Sequence, residues 1–395
     1  MPGIQSIAYR KVLNSHVHFT NEFIVRLADG ATGQAASPQG ETISIYEDQK
    51  PTSDPQSIID CLSESGLPGM EIDQTGFDDF LQQHIGQFGR NNTFALSEAF
   101  FNAQAVHQSP FEIFAIPERK LEPPRLCLNI LNGGQHAYTN PVLCDFPEIM
   151  LVARSQDMTE VVDEHRQIQQ VVRQKQLLQE KTAISGNPVN RFARTDNQAP
   201  IEFLLEVVER LGFADHFDLM IDASAGDLWD GSRYALGVTG GQALTAPEFA
   251  AYWLDLIRQY PLRFLEDPFH EQDFAGWQHL SRAQDQALII GDNLYSSDEA
   301  RITEGAGQRL THGAVIKLNQ AGTVTAARRA VEAARSTGQT AITSHRSIST
   351  ESTFLALLTC LFDAPYIKIG PLQSDYSSVV RLNEIIRLTD GNHAH

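Results

Sequence analysis

Through the second half of the chain, short apolar runs alternate strictly with helix-like stretches, and no other feature limits the fold as tightly. The runs are Leu219–Asp222, Arg263–Glu266, Leu288–Asp292, Ala314–Leu318, Ala341–His345 and Tyr366–Gly370. Strand followed by helix, repeated in this way, requires parallel pairing, because a chain that returns through a helix starts its next strand in the same direction. Two further strand-like runs, Arg125–Leu131 and Glu148–Val152, come first, followed by helical runs from Met158 to about Glu180 and over Ile201–Leu211. Two leading strands and six repeats make the count of a closed α/β barrel, whose active face lies at the strand C-termini. A doubly wound open sheet would show a similar local pattern.

Upstream, residues 1–122 read as a separate, smaller α+β unit. Phe23–Leu27 and Thr42–Tyr46 predict two strands of a hairpin, with the turn-rich stretch from Ala28 to Gly40 as a mobile loop between them. Helices are predicted over Pro55–Ser63, Phe77–Phe88 and Asn92–Val106. Glu122-Pro123-Pro124 breaks the pattern, leaving residues 123–395 for the barrel. A chain of 395 residues exceeds the roughly 250–300 that one core supports, which agrees with two domains.

Acidic residues outnumber basic ones by 49 to 30, for a net charge of −19, which disfavours nucleic acid and anionic membranes as partners. No apolar run reaches membrane-spanning length, and Met1-Pro-Gly-Ile-Gln-Ser lacks the basic and apolar regions of a signal peptide, so a cytoplasmic protein is expected. Cys61, Cys127, Cys144 and Cys360 lack metal-ligand or redox spacing and are expected to be reduced and mostly buried.

The ends of the strands carry the chemistry. Asp222, Glu266 and Asp292 each stand where an apolar run stops, followed by Lys317, then Ser344-His345-Arg346-Ser347, then Lys368. Glu148 heads its strand, and Asn132-Gly-Gly-Gln-His136 follows the first. Each has an ordinary explanation alone: a turn, a cap, a snorkelling lysine, a satisfied histidine, a salt bridge. All of those would have to coincide at one face. Three carboxylates with no cysteine nearby suit Mg²⁺. Beside such an ion, Lys317 could remove a proton α to a carboxylate, with Lys368 as the neighbouring cation, while Arg346, Ser344 and Ser347 offer donors to a phosphate. An anionic, phosphorylated small molecule is the implied substrate.

These segments resemble the enolase (phosphopyruvate hydratase) family. The resemblance rests on Asn132-Gly-Gly-Gln-His136, Glu266-Asp-Pro-Phe269, Gly291-Asp292, Lys317-Leu-Asn-Gln-Ala-Gly-Thr323 and Ser344-His-Arg-Ser347, in that family's order. It implies a modified TIM barrel of ββαα(βα)6 type behind an α+β capping domain, and a homo-oligomer, a dimer or larger, although no interface signal in the sequence stands by itself. It also implies roles: Asp222, Glu266 and Asp292 for Mg²⁺, Ser37 for a second ion, Lys317 as base and Lys368 on the substrate carboxylate. Arg346 and Ser347 would hold the phosphate, His136 and His345 would line the pocket, and Glu148 would be one of two catalytic glutamates.

The second glutamate has no counterpart. After Ser185-Gly-Asn the chain reads Pro-Val-Asn-Arg191-Phe-Ala-Arg194, which places Arg191 near the expected acid. A guanidinium cannot protonate a leaving group, but it could bind an extra anionic group. Asn293, Ile348-Ser349 and Pro38-Gln39 depart from the family pattern as well. The sequence therefore predicts a diverged enolase-like enzyme acting on a phosphorylated or phosphonylated acid other than plain 2-phosphoglycerate, for example in carboxyphosphonoenolpyruvate formation. The alternatives are an ordinary phosphopyruvate hydratase and a non-catalytic binding descendant.

Overall fold

The computed structural model describes residues 3–40, 43–47, 53–134, 139–184 and 187–390. In the N-terminal unit, β1 (Ile4–Leu13), β2 (Phe19–Leu27) and β3 (Thr32–Ala36) form an antiparallel sheet in that order. The expected mobile loop contains β3, because Asp29-Gly30 turns the chain straight back. Gly30 adopts φ +92°, and Asp29 Oδ1 accepts the Ala31 N–H at 3.0 Å. The second hairpin strand predicted at Thr42–Tyr46 is absent from the described part of that stretch. Residues 43–47 instead form a turn closed by Glu47 N–H donating to Ser44 O, which leaves Ile43 and Ile45 half exposed. β1 carries little sequence signal, since only Ile4 along it is buried.

The helices α1 (Pro55–Glu64), α2 (Gln74–Gln83), α3 (Ile85–Phe88), α4 (Arg90–Gln104) and α5 (Pro110–Ile113) follow. Asp54 starts α1 by accepting the Gln56 and Ser57 N–H groups, with Pro55 at the first helical position. Helix α4 is buried on nearly every side because it serves two cores. Ala95, Ala99, Phe100 and Ala103 pack with the capping sheet, whereas Phe94 and Phe101 join the barrel core. Gly33 lets β3 touch this helix, since a Cβ there would lie 2.2 Å from the Ala99 carbonyl oxygen.

The second unit begins with β4 (Arg125–Asn132), β5 (Glu148–Ala153) and α6 (Met158–Gln176). The helix stops short of Glu180, and the hairpin β6 (Glu180–Ile184) and β7 (Asn187–Arg191) precedes α7 (Gln198–Arg210) and β8 (Phe217–Asp222). A small hairpin, β9 (Tyr234–Leu236) and β10 (Gln242–Leu244), leads into α8 (Ala246–Gln259), β11 (Leu262–Glu266), α9 (Phe274–Ala283) and β12 (Leu288–Gly291). The chain ends with α10 (Glu299–Gln308), β13 (Gly313–Lys317), α11 (Leu318–Ala321), α12 (Val324–Ser336), β14 (Thr340–Ser344), α13 (Phe354–Leu361), β15 (Tyr366–Lys368) and α14 (Tyr376–Thr389).

Strands β4, β5, β8 and β11 to β15 close into a barrel. β5 runs antiparallel to both neighbours, and β15 pairs parallel with β4 through Lys368 and Cys127. Closure at that seam excludes the open sheet and gives the ββαα(βα)6 order behind a smaller antiparallel-sheet domain. Cys127, Cys144 and Cys360 are buried, and all four cysteines are free. Among the described residues, no helix is long and apolar enough to cross a membrane.

Candidate active site

Period-two alternation builds the site. The barrel interior is plugged by Cys127, Met150, Val152, Met220, Phe264, Ile290, Val315 and Ile342, with Tyr366 against them. Side chains two residues apart on a strand share a face, so the next inward position toward the active end is fixed for each strand. It is Asn129, Glu148, Asp222, Glu266, Asp292, Lys317, Ser344 and Lys368, reading around the barrel from β4. An apolar layer thus carries a ring of polar and charged groups. In-register pairing sets Asp222 beside both Glu148 and Glu266, and Ser344 beside both Lys317 and Lys368.

Within this ring the carboxylates of Asp222, Glu266 and Asp292 converge, with one oxygen of each inside 4.8 Å of the others. All three are buried, and Glu266 is 0% exposed. Lys368 Nζ donates to both Glu266 oxygens at 2.9 Å, and lies 3.0 Å from Glu148 and 3.2 Å from Asp222. Lys317 Nζ donates to Asp292 Oδ2. Burial and the adjacent Asp222 push the Glu266 carboxyl well up, although Lys368 opposes them. For Asp222, burial acts upward too, but Lys368 and the other neighbours outweigh it and the carboxyl falls below its ordinary value. Lys368 is held protonated: burial opposes its charge, and Glu148, Glu266 and Asp222 overcome that cost.

The triad fits a magnesium ion. All its donors are carboxylate oxygens, and Asp292 Oδ1 is buried without a hydrogen-bond partner among the described residues. Asp267 aims that carboxylate by accepting the Asp292 N–H at 2.9 Å and the Asn293 N–H at 2.8 Å. Ser224 donates its N–H and hydroxyl to Asp222 Oδ1, each at 3.1 Å.

Above the triad a cavity of about 340 Å³ opens, lined by Asn129, Glu148, Lys317, His345, Arg346 and Lys368 among others. His345 Nδ1 lies 3.1 Å from the Lys368 carbonyl, an acceptor only, so that nitrogen carries the ring proton. Burial, then Arg381 and Lys368, keep the ring neutral. Arg346 pairs with Glu47 of the capping domain at 3.3 Å, and Gln320 donates to the same carboxylate at 2.9 Å. Burial pushes the Glu47 carboxyl up, but Arg346, the Gln320 amide, Lys317 and the Ser44 N–H together pull it below the usual range. Two backbone hydrogen bonds between Gln39 and Ile348 tie the capping segment to the Arg346 loop. The family model of the enolase C-terminal TIM barrel domain matches residues 121–394.

The chain belongs to the enolase family. In this enolase-family site, Lys317, Lys368, Glu148, His345, Ser344, Arg346, Ser347, Asp222 and Asp292 all line the one cavity, and Glu266 lies against it through Lys368. Ser37 does not line it. Its hydroxyl donates to Asn92 Oδ1 at 3.1 Å and its carbonyl accepts from Thr20, both inside the capping domain. Arg191 does not line it either, being exposed at the end of the β6–β7 hairpin, opposite Glu180. His136 lies outside the described residues.

Three contributors carry a weaker sequence signal. Asn129 is a polar residue inside an apolar strand, two places after Cys127, and it donates to Glu148 at 2.8 Å. Asp267 is masked by its neighbour Glu266, because Glu-Asp-Pro reads as a turn. Glu47 has no local signal at all, since it reaches the site only when the capping domain docks.

Proposed function

We propose that this protein is a magnesium-dependent, lyase-like enolase-family enzyme acting on a small phosphorylated or phosphonylated carboxylic acid other than plain 2-phosphoglycerate. The observation that carries the reading is the placement of Lys317 and Lys368 on two sides of one buried carboxylate triad. Held by Asp222, Glu266 and Asp292, Mg²⁺ would supply the positive charge that stabilises an enolate of the substrate's carboxylate. Lys317, largely buried at the cavity wall, would take the α-proton. Lys368, kept cationic by its carboxylate neighbours, would hold the substrate carboxylate. Arg346 and Ser347 would receive the phosphoryl or phosphonyl group, and neutral His345 would donate no charge to it.

The departure from plain 2-phosphoglycerate rests on the acid that is missing. Where the family supplies a second glutamate, this chain forms the β6–β7 hairpin and ends it on an exposed Arg191. Glu148 remains as the glutamate facing the cavity, and it is engaged by Asn129 and Lys368. The placement of Arg191 lends no support to binding of an extra anionic group, so carboxyphosphonoenolpyruvate formation remains one example of the substrate class. The intact triad and both lysines favour a second reading, an ordinary phosphopyruvate hydratase. A homo-oligomeric, cytoplasmic enzyme is part of the proposal.

The test follows α-proton exchange by NMR in D₂O with Mg²⁺, using 2-phosphoglycerate and a panel of phosphono- and phospho-carboxylic acids. Exchange on a panel member, abolished by Lys317→Met and without dehydration of 2-phosphoglycerate, is the expected result. General-base loss costs roughly 10²- to 10⁴-fold or more. Rapid formation of phosphoenolpyruvate from 2-phosphoglycerate would establish the second reading instead.

A further inference from the structure

The triad carboxylates stand on three different strands, Asp222 and Glu266 at the last residue of β8 and β11 and Asp292 one place beyond β12. The sheet ladder stops there, so strand pairing alone does not hold the chain that leads away from each ligand. Asp267 bonds these exits together. Its N–H donates to the Ile290 carbonyl of β12 at 3.0 Å, and its carbonyl accepts the Ala225 N–H at 2.9 Å, from the loop that follows Asp222. Its side chain reaches the third exit, with Oδ1 accepting the Asp292 N–H at 2.9 Å and Oδ2 the Asn293 N–H at 2.8 Å. Glu266, its neighbour in the chain, accepts the Ala223 N–H at 2.9 Å on its carbonyl. One residue, 3% exposed, thus ties the segments behind Asp222 and Asp292 to the one that carries Glu266.

The backbone is strained to do this. Asp267 adopts φ +41°, in the left-handed region that residues other than glycine, asparagine and aspartate seldom enter. Glycine would take that conformation more easily but has no side chain to accept two N–H groups. Strained residues of this kind persist where the surroundings over-determine them, and they cluster at functional sites.

We infer that Asp267 is a positioning residue that sets the metal selectivity of the triad, holding its three carboxylates in a stiff frame that suits Mg²⁺ over Ca²⁺. Mg²⁺ demands near-ideal octahedral geometry at about 2.0–2.1 Å, whereas Ca²⁺ takes roughly six to eight oxygens at about 2.3–2.6 Å in flexible arrangements. A frame that keeps one oxygen of each carboxylate within 4.8 Å of the others therefore discriminates by size and stiffness. Asp267 acts through the ligands, since each of its own side-chain oxygens is engaged by a backbone N–H. The inference rests on the magnesium reading proposed above and is independent of which acid the enzyme turns over.

The test is calorimetric titration of the chelator-treated full chain with Mg²⁺ and, separately, with Ca²⁺, without substrate. Asp267→Asn keeps the side-chain volume but sets an amide N–H against one of the two backbone N–H groups. It should weaken Mg²⁺ binding about 10- to 100-fold, the usual range when a group that orients metal ligands is lost. Ca²⁺ should lose less, so the preference for Mg²⁺ narrows. A residue that only supported the fold would lower the Tm of the metal-free chain and leave that preference unchanged. Asp267→Gly accepts the left-handed backbone, removes both acceptors and should narrow the preference as well. Asp292→Asn supplies the heat of binding elsewhere on the chain, to be subtracted. Unchanged Mg²⁺ affinity in Asp267→Asn, or an equal loss for both ions, would overturn the inference. Absence of Mg²⁺ binding by the unmodified protein would instead overturn the metal reading beneath it, and the inference with it.

Discussion

Glu47 of the capping domain lies 3.3 Å from Arg346 of the barrel, and both side chains are buried. The group expected to hold the substrate's phosphate is thus oriented by a residue from the other domain. Glu47→Ala would leave the guanidinium without that carboxylate. A buried pair broken on one side costs about 3 kcal/mol, and affinity for phosphorylated acids should fall about tenfold. Denaturant unfolding and calorimetric titration measure the two; unchanged values in both would contradict the role. The sign with pH follows from the lowered Glu47 carboxyl. Its contribution is present above the ordinary carboxylate value of 4.5 and is lost as the pH falls below it.

Gly40 packs directly on the same guanidinium, where an added Cβ would lie 1.7 Å from Arg346 Nη2. Gly40→Ala should therefore displace Arg346 from Glu47, raise KM for a phosphorylated substrate and lower stability in the same direction as Glu47→Ala. A crystal structure of the variant would show whether the guanidinium has moved. An unmoved Arg346 would be the contrary finding.

Magnesium binding should stabilise the folded chain. At a hundred times its dissociation constant a ligand contributes about 2.7 kcal/mol, which for a chain of this length corresponds to a Tm rise of about 3 °C. Asp292→Asn removes one charge from the triad and should abolish most of that rise, with chelator restoring the lower Tm only in the unmodified protein. Lys368→Met should make the metal-free protein less stable, because Glu148, Asp222 and Glu266 then face one another without their shared cation.

Asp78 joins the domains at a second place, accepting the Thr325 N–H at 2.8 Å at the start of α12. Burial raises its carboxyl from 3.8 to about 6, despite hydrogen bonds from Ser97, Thr325 and Gln74. A raised carboxyl stabilises the fold fully below its unfolded value and loses that contribution as the pH rises through about 6. Stability should therefore decline across this window, and Asp78→Asn should flatten the decline. Urea midpoints measured across the window would reveal an unaltered slope if Asp78 were not responsible.

The barrel was legible because its signal is local. Six apolar runs carry Asp222, Glu266, Asp292, Lys317, Ser344 and Lys368 at or within two residues of their ends, and period-two alternation places each of these over the apolar layer. Those same residues set the charge of the site before any contact between strands is known. The capping domain was harder to read. β1 is mostly exposed, and the Asp29-Gly30 turn diverted the chain into β3 before it reached the run at Thr42–Tyr46. What only the tertiary structure decided is where long-range docking brings groups together: Glu47 onto Arg346, Asp267 beneath Asp292, Ser37 into the capping core and Arg191 out to solvent. Periodicity fixes the direction of a side chain within one element, whereas contact between elements far apart in the chain depends on how whole surfaces pack.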